Sequence, residues 1–268
     1  KYLSLYMEHS LYQVDAFTDT LFCGNPACVV PLKDWLEDAV LLKIAKENAV
    51  SETAFFVQDN EEFHLRWFTP DLEMDLCGHA TLATAHVLKT HLHFTKGVIN
   101  FKTISGKVQV VLENDYYVLN FPSRAPLAAS LPPLLEQAIN IAPKSVFRAR
   151  DYILVYENES AIKNIEIERN LFDQLRLGTG GVVFTAPGAK VDFVSRFFTP
   201  NATLLEDPVT GSAHCSLIPF WASVLNKQKM NAVQLSQRQG FLLCENKKDR
   251  VLIGGKAKTY LKGSFQIY

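Results

Sequence analysis

The chain has 268 residues, of which 48% are hydrophobic and 21% are charged, a composition typical of a folded globular protein rather than a disordered one. This length predicts two domains of roughly 120–130 residues. The formal net charge of −1 gives no basis for binding nucleic acid or an anionic membrane, since both require clustered lysines and arginines, so we expect neither partner.

The first half of the chain predicts several strands and two helices. Residues 12–17 alternate between apolar and polar side chains, as a strand does. Asp34 can cap a helix whose apolar residues recur at helical spacing, and a second helix is predicted to start at Gly78. Further strands are predicted at 53–57, 62–68, 98–103, 107–113 and 116–121.

A proline-rich segment then divides the chain. Residues 123–145 contain four prolines and match neither half, which predicts a linker. In the second half we expect that Pro219 kinks the helix from Gly211 or changes its path. The other elements predicted there are strands at 152–156, 182–186 and 191–198 and a helix near 168–175.

The two halves repeat one plan. The sequence RWFTP at 66–70 leads to Gly78, and RFFTP at 196–200 leads to Gly211 in the same way. Weaker matches join 51–57 to 179–185 and 105–108 to 239–242. These matches predict an α+β protein of two pseudo-symmetric lobes, 1–122 and 146–268, each a mostly antiparallel sheet wrapped around a central helix. Free N–H groups at the two glycine-started helices could bind one anion between the lobes.

The cysteines argue against a metal or disulfide framework. There are five, an odd number, and no two form a Cys-x-x-Cys pair, so we expect no metal site and a reducing, cytoplasmic location. The chain has no run of about 18 apolar residues, and its start lacks the apolar core of a signal peptide.

Four motifs in order resemble the PhzF family of phenazine-biosynthesis-like proteins. They are FCGNPA at 22–27, SETAF at 51–55, DLCGHAT at 75–81 and EDPVTGSA at 206–213. The resemblance implies the diaminopimelate-epimerase fold, with the active site between the lobes, and a homodimer. It also implies an isomerase without metal or organic cofactor: in the characterised member, a glutamate moves a proton within trans-2,3-dihydro-3-hydroxyanthranilic acid.

Glu52 matches that catalytic glutamate. It follows Ser51 and precedes an apolar run, so its carboxylate could be partly buried and suited to acid–base work. The echo of Glu52 in the second half falls near Gly180, which has no ionisable group. The residues alone leave open a surface glutamate at the entrance of a strand.

The other motif positions predict substrate contacts. His79 could bond a substrate oxygen, and Asp207 is implied by the resemblance to face amino or hydroxyl groups. Asp75 could contact the substrate or cap the Gly78 helix, and Asp207 and Ser212 could likewise serve only as caps. The predicted substrate-binding set is Asp75, Gly78, His79, Asp207, Gly211 and Ser212, around a small carboxylate-bearing molecule.

Cys77 leaves two alternatives open. Related two-base racemases and epimerases place one thiol before each of these glycines, but the second place here is Thr210, whose hydroxyl cannot supply a second thiolate. We therefore interpret Cys77 as a small buried residue with a possible accessory role. The alternatives to a cofactor-independent isomerase are a one-thiol epimerase or racemase, using Cys77 with Glu52 or Asp207, and a non-catalytic binding or regulatory protein.

Overall fold

The computed structural model describes residues 7–267 and shows a mixed α+β protein. Residues 1–6 and 268, which belong to the predicted outer ends of the two lobes, lie outside this range. The described strands join into one continuous hydrogen-bonded network that encloses two long helices.

The first half contains eight strands and two helices in the described range. The strands are β1 (Met7–Ala16), β2 (Asn25–Leu32), β3 (Glu52–Asp59), β4 (Glu62–Phe68), β5 (Glu73–Met74), β6 (Val98–Thr103), β7 (Gly106–Glu113) and β8 (Tyr116–Pro122). The helices are α1 (Asp38–Asn48) and α2 (Gly78–Thr90).

The rest of the chain adds ten strands and four helices. The strands are β9 (Leu127–Ala128), β10 (Ser145–Arg148), β11 (Tyr152–Val155), β12 (Val182–Pro187), β13 (Phe193–Phe198), β14 (Glu206–Asp207), β15 (Lys229–Gln234), β16 (Gly240–Lys247), β17 (Arg250–Gly255) and β18 (Ala257–Ile267). The helices are α3 (Pro133–Gln137), α4 (Glu159–Lys163), α5 (Arg169–Phe172) and α6 (Gly211–Leu225).

Strand pairing confirms the predicted duplication. In the first half β2 runs parallel to β3, β3 is antiparallel to β4, and β4 pairs with β5 and, in parallel, with β6. In the second half β11, β12, β13, β14 and β15 repeat these pairings in the same order and direction. The fold class predicted from the repeat, two related lobes around central helices, is therefore correct.

Further strand pairs connect the two halves and the segment between them. β18 pairs with β1, whereas β9 pairs with β10, and β17 joins β8 to connect the two sheets. The segment 123–145 packs on the second half, because Leu135 and Ala138 belong to the same buried cluster as Phe184. The lobe boundaries at 122 and 146 remain predictions.

The two central helices are buried because small and apolar residues predominate in both, and the threonines of α2 bond to its own backbone. α2 is buried from Gly78 to Leu88, and α6 is buried over most of its length. A helix that is hydrophobic all round belongs in a core. α6 remains helical on both sides of Pro219, so the proline does not end the helix, and the expected kink or change of path remains a prediction. Proline cannot bond the carbonyl four residues earlier, and that carbonyl, of Cys215, accepts the backbone N–H of Arg124 instead.

The N-termini of α2 and α6 meet in the middle of the molecule. A Cβ built on Gly78 would lie 2.9 Å from the Cα of Gly211, and the reverse distance is also 2.9 Å. Real Cβ atoms are almost never this close to backbone, so the contact requires glycine on both sides. The helices can therefore direct their first N–H groups into one shared space.

Across the described range, no helix combines the length and apolar character needed to cross a membrane.

Candidate active site

A cavity of about 430 Å³ lies where the two helix N-termini meet. Both halves line it, and it contains seven of the eight residues singled out from the sequence. These seven are Glu52, Cys77, Gly78, His79, Asp207, Gly211 and Ser212.

Asp75 is the predicted residue that does not line this cavity in the described structure. It does not cap α2 either, because the N-cap is Cys77 and no side chain accepts a hydrogen bond there. A capping side chain acts from the N-cap position, and Asp75 lies two residues too early. Its Oδ1 is enclosed and has no hydrogen-bond partner in the described part of the chain.

Glu52 begins β3, where it pairs with Ala27 of β2, and the strand directs it toward the start of α2. Its side chain is 12% exposed, and its Oε2 lies 3.0 Å from Nε2 of His79. The two side chains are in ion-pair contact, and neither of these atoms has a hydrogen-bond partner elsewhere among residues 7–267. An enclosed carboxylate oxygen and imidazole nitrogen that have no partner beyond each other suit a site that accepts a ligand.

His79 is held by contacts on its other ring nitrogen. Nδ1 lies 3.5 Å from Sγ of Cys77 and 3.1 Å from Nδ2 of Asn25. Burial disfavours the charged imidazole, but the neighbouring Cys77 and Glu52 side chains outweigh it, and the pKa of His79 is raised well above its ordinary value. When it is protonated, the imidazole of His79 carries an N–H on the nitrogen that faces Glu52.

The Cys77 thiol is a weak acid in this position. Burial, and secondly the negative charge of Glu52, raise its pKa to about 11. Near neutral pH the thiol therefore stays protonated, and the charge that His79 faces is that of Glu52.

Asp207 is held by donors from both halves of the molecule. Asn25 donates to Oδ1 from 2.6 Å and also to the carbonyl of Val209, while the hydroxyl of Thr210 donates to Oδ2 from 2.6 Å. Burial, followed by the charge of Glu52, raises the pKa of Asp207 to about 6. Asp207 can therefore gain and lose a proton in the physiological range.

Ser212 contacts a residue that the sequence did not single out. Its Oγ accepts a hydrogen bond of 3.0 Å from Nη2 of Arg150, which also lines the cavity. Arg150 is fixed in turn by Asp151, which accepts from its Nε and Nη2, both at 3.1 Å.

Asn25 is a second residue whose role the sequence did not reveal. It lies in the FCGNPA motif, which was therefore the one available signal, but its partner Asp207 is 182 positions away. No comparable signal marks Arg150, because nothing in its neighbouring residues indicates contact with Ser212.

Glu52, Cys77 and His79 could in principle hold a metal ion, since their ligand atoms lie within 4.8 Å of one another. However, His79 presents Nε2 to Glu52 and Nδ1 to Cys77. One ion can take only one nitrogen of the ring, so this arrangement favours a chain of proton-bearing groups over a shared metal.

Comparisons with known proteins agree with this architecture. The family model described as phenazine biosynthesis-like protein (PhzC-PhzF) matches residues 14–263. The chain belongs to this family. A Pseudomonas aeruginosa protein named an uncharacterized isomerase is 45% identical, covering 97% of this chain and 100% of the relative.

Solved structures extend the comparison to the fold. The crystal structure of a PhzF-family phenazine biosynthesis protein from Enterococcus faecalis has a TM-score of 0.91 and 44% identity, covering 98% of this chain and 100% of that one. A protein described as a predicted epimerase from P. aeruginosa has a TM-score of 0.75 and 19% identity, covering 96% and 99%. That second similarity shows the fold. The relatives named isomerases support an isomerase.

Proposed function

We propose that this protein is a cofactor-independent isomerase that moves a proton within a small carboxylate-bearing metabolite. The observation that carries the proposal is the contact between Glu52 and His79 at the junction of two helix N-termini, in which neither facing atom has another partner among residues 7–267. A carboxylate in this position can take a proton from carbon and return it elsewhere.

The proposed reaction is a proton transfer with no net oxidation. Glu52 removes a proton from a carbon of the substrate, the double bond shifts, and the same carboxyl group delivers the proton to a second carbon. His79 and Asp207 hold the substrate's polar groups during the transfer. The N–H groups at the starts of α2 and α6 stabilise negative charge that develops on the substrate. General acid–base catalysis of this kind contributes roughly 10²–10⁴ in rate, or about 3–5 kcal/mol.

The one-thiol epimerase is the second candidate, because Cys77 lines the cavity within 3.5 Å of His79. The raised pKa of its thiol weighs against it, since only a thiolate acts as a base or nucleophile.

The test begins with the substrate. Small cyclic and amino carboxylates are screened by thermal stabilisation, in which a ligand at about 100 times its Kd stabilises by about 2.7 kcal/mol. The ligands found are then incubated with enzyme in deuterium oxide, and NMR follows deuterium entering carbon. Incorporation that survives thiol alkylation supports the isomerase, incorporation that is lost on thiol alkylation supports the epimerase, and stabilisation without incorporation indicates a binding protein.

A further inference from the structure

Arg150 is a buried cation at the edge of the cavity. Its side chain is 15% exposed, and its contacts use Nε and Nη2. Nη1 is enclosed and has no hydrogen-bond partner among residues 7–267. A guanidinium has five N–H donors in a planar fork, so part of its binding capacity remains unused.

The duplication relates Arg150 to the acid–base side of the cavity. His79 follows Gly78 as Ser212 follows Gly211, which makes these two residues counterparts. In the first half, Asn25 contacts His79, and in the second half, Arg150 contacts Ser212. The two sides of the glycine contact therefore differ in chemistry. One contains Glu52 and His79, and the other a guanidinium and a hydroxyl.

We propose that Arg150 is the residue that determines specificity for a carboxylate, binding that group of the ligand together with Ser212 and the N-terminus of α6. The two N–H groups of Nη1 have no partner among residues 7–267 and can donate to a carboxylate oxygen, and such charge-assisted hydrogen bonds are stronger than neutral ones. Anchoring the carboxylate here leaves the rest of a small ligand directed toward Glu52 on the opposite side.

This inference rests on the proposed function only for the proton transfer assigned to Glu52. Binding of a carboxylate can be measured without any proton transfer. Benzoate and benzamide are suitable probes, because they have the same shape and differ mainly in charge. Their affinities are measured by calorimetry for the wild type and for variants.

Removing Arg150 alone would leave Asp151 buried and uncompensated, which can unfold a protein. The main variant is therefore the double substitution Arg150→Met with Asp151→Asn, which preserves charge balance and retains an acceptor for the backbone N–H of Gly181. Arg150→Lys is the second variant, since it keeps the charge but loses the fork. The matched control is Arg148→Met, an exposed arginine that stacks on Tyr152 and does not line the cavity.

The wild type should bind benzoate at least about tenfold more tightly than benzamide, and the double variant should lose this preference. Arg150→Lys should lose part of it, while Arg148→Met should keep it. If the double variant does not fold, the preference measured for Arg150→Lys tests the proposal.

The proposal is overturned if the wild type shows no preference or binds neither probe. It is equally overturned if the folded double variant, or Arg150→Lys in its absence, keeps the full preference. None of these results alters the hydrogen-exchange test of Glu52.

Discussion

Gly78 and Gly211 touch through their backbones, and this contact sets the distance between the two halves at the cavity. A methyl group on either residue would lie 2.9 Å from the Cα of the other. Because each glycine starts a long buried helix, separating them would shift both helices against their sheets.

We therefore expect Gly78→Ala to destabilise the protein by about 1–3 kcal/mol, as overpacking of a core does. The measurement is the free energy of unfolding in urea. Gly97→Ala is the matched control, since nothing lies within 4 Å of a Cβ at Gly97, and it should leave stability unchanged or raise it by up to about 1 kcal/mol. Equal stability of the two variants would show that the glycine contact does not constrain the helices.

Asp207 should make stability depend on pH. Its pKa is raised from an ordinary value of 3.8 to about 6, so the folded state binds the proton more tightly than the unfolded state. The resulting stabilisation is fully present below pH 3.8 and is lost as the pH rises through about 6.

Between pH 4 and pH 8 the wild type should lose stability relative to Asp207→Asn, by on the order of 1–3 kcal/mol. Asparagine retains an acceptor for Asn25 and places a donor near the hydroxyl of Thr210. Urea unfolding of both proteins across this range is the measurement. Parallel pH profiles would mean that Asp207 titrates normally.

Cys77→Ala should retain activity within about tenfold of the wild type, because a thiol with a pKa of about 11 is ionised to roughly one part in 10⁴ at pH 7. Turnover and melting temperature are measured together. A loss beyond about a hundredfold with unchanged melting would favour thiol chemistry.

Alkylation gives an independent check on this cysteine. Cys23 is partly exposed, whereas Cys28, Cys77, Cys215 and Cys244 are buried. In a Cys23→Ser background, iodoacetamide at pH 7 should leave activity intact. Rapid inactivation would reveal a reactive thiol in the cavity.

Local repeats in the sequence predicted much of this architecture. The two FTP segments identified equivalent strands, and the glycines after them marked where both central helices begin. Register places the counterpart of Glu52 one residue beyond the predicted position, at Gly181. This follows because Ala54 pairs with Trp67 as Val183 pairs with Phe197.

Contacts between distant segments could not be predicted in this way. β18 pairs with β1 across almost the whole chain, and its own sequence gives no indication of the partner. The sequence did not assign Asn25 and Arg150 to the site for the same reason, since each contacts a residue far away in sequence. The continuation of α6 past Pro219 likewise involves a distant residue. The backbone N–H of Arg124 donates to the carbonyl of Cys215, which Pro219 cannot bond.

The most direct test of the proposed function is solvent hydrogen exchange by Glu52→Gln. Glutamine keeps the shape of glutamate and most of its hydrogen bonds, but it cannot gain and lose a proton. Glu61→Gln, in which a surface carboxylate that pairs with Lys96 is replaced, is the control. NMR follows deuterium incorporation into a ligand identified by the thermal screen.

We predict that Glu52→Gln binds that ligand with wild-type affinity and incorporates deuterium at least about 10² times more slowly. Glu61→Gln should match the wild type in both respects. Gly181 offers no carboxylate to replace Glu52 from the other half, so rescue within the chain is not expected. Deuterium incorporation at the wild-type rate in Glu52→Gln would contradict the proposed mechanism.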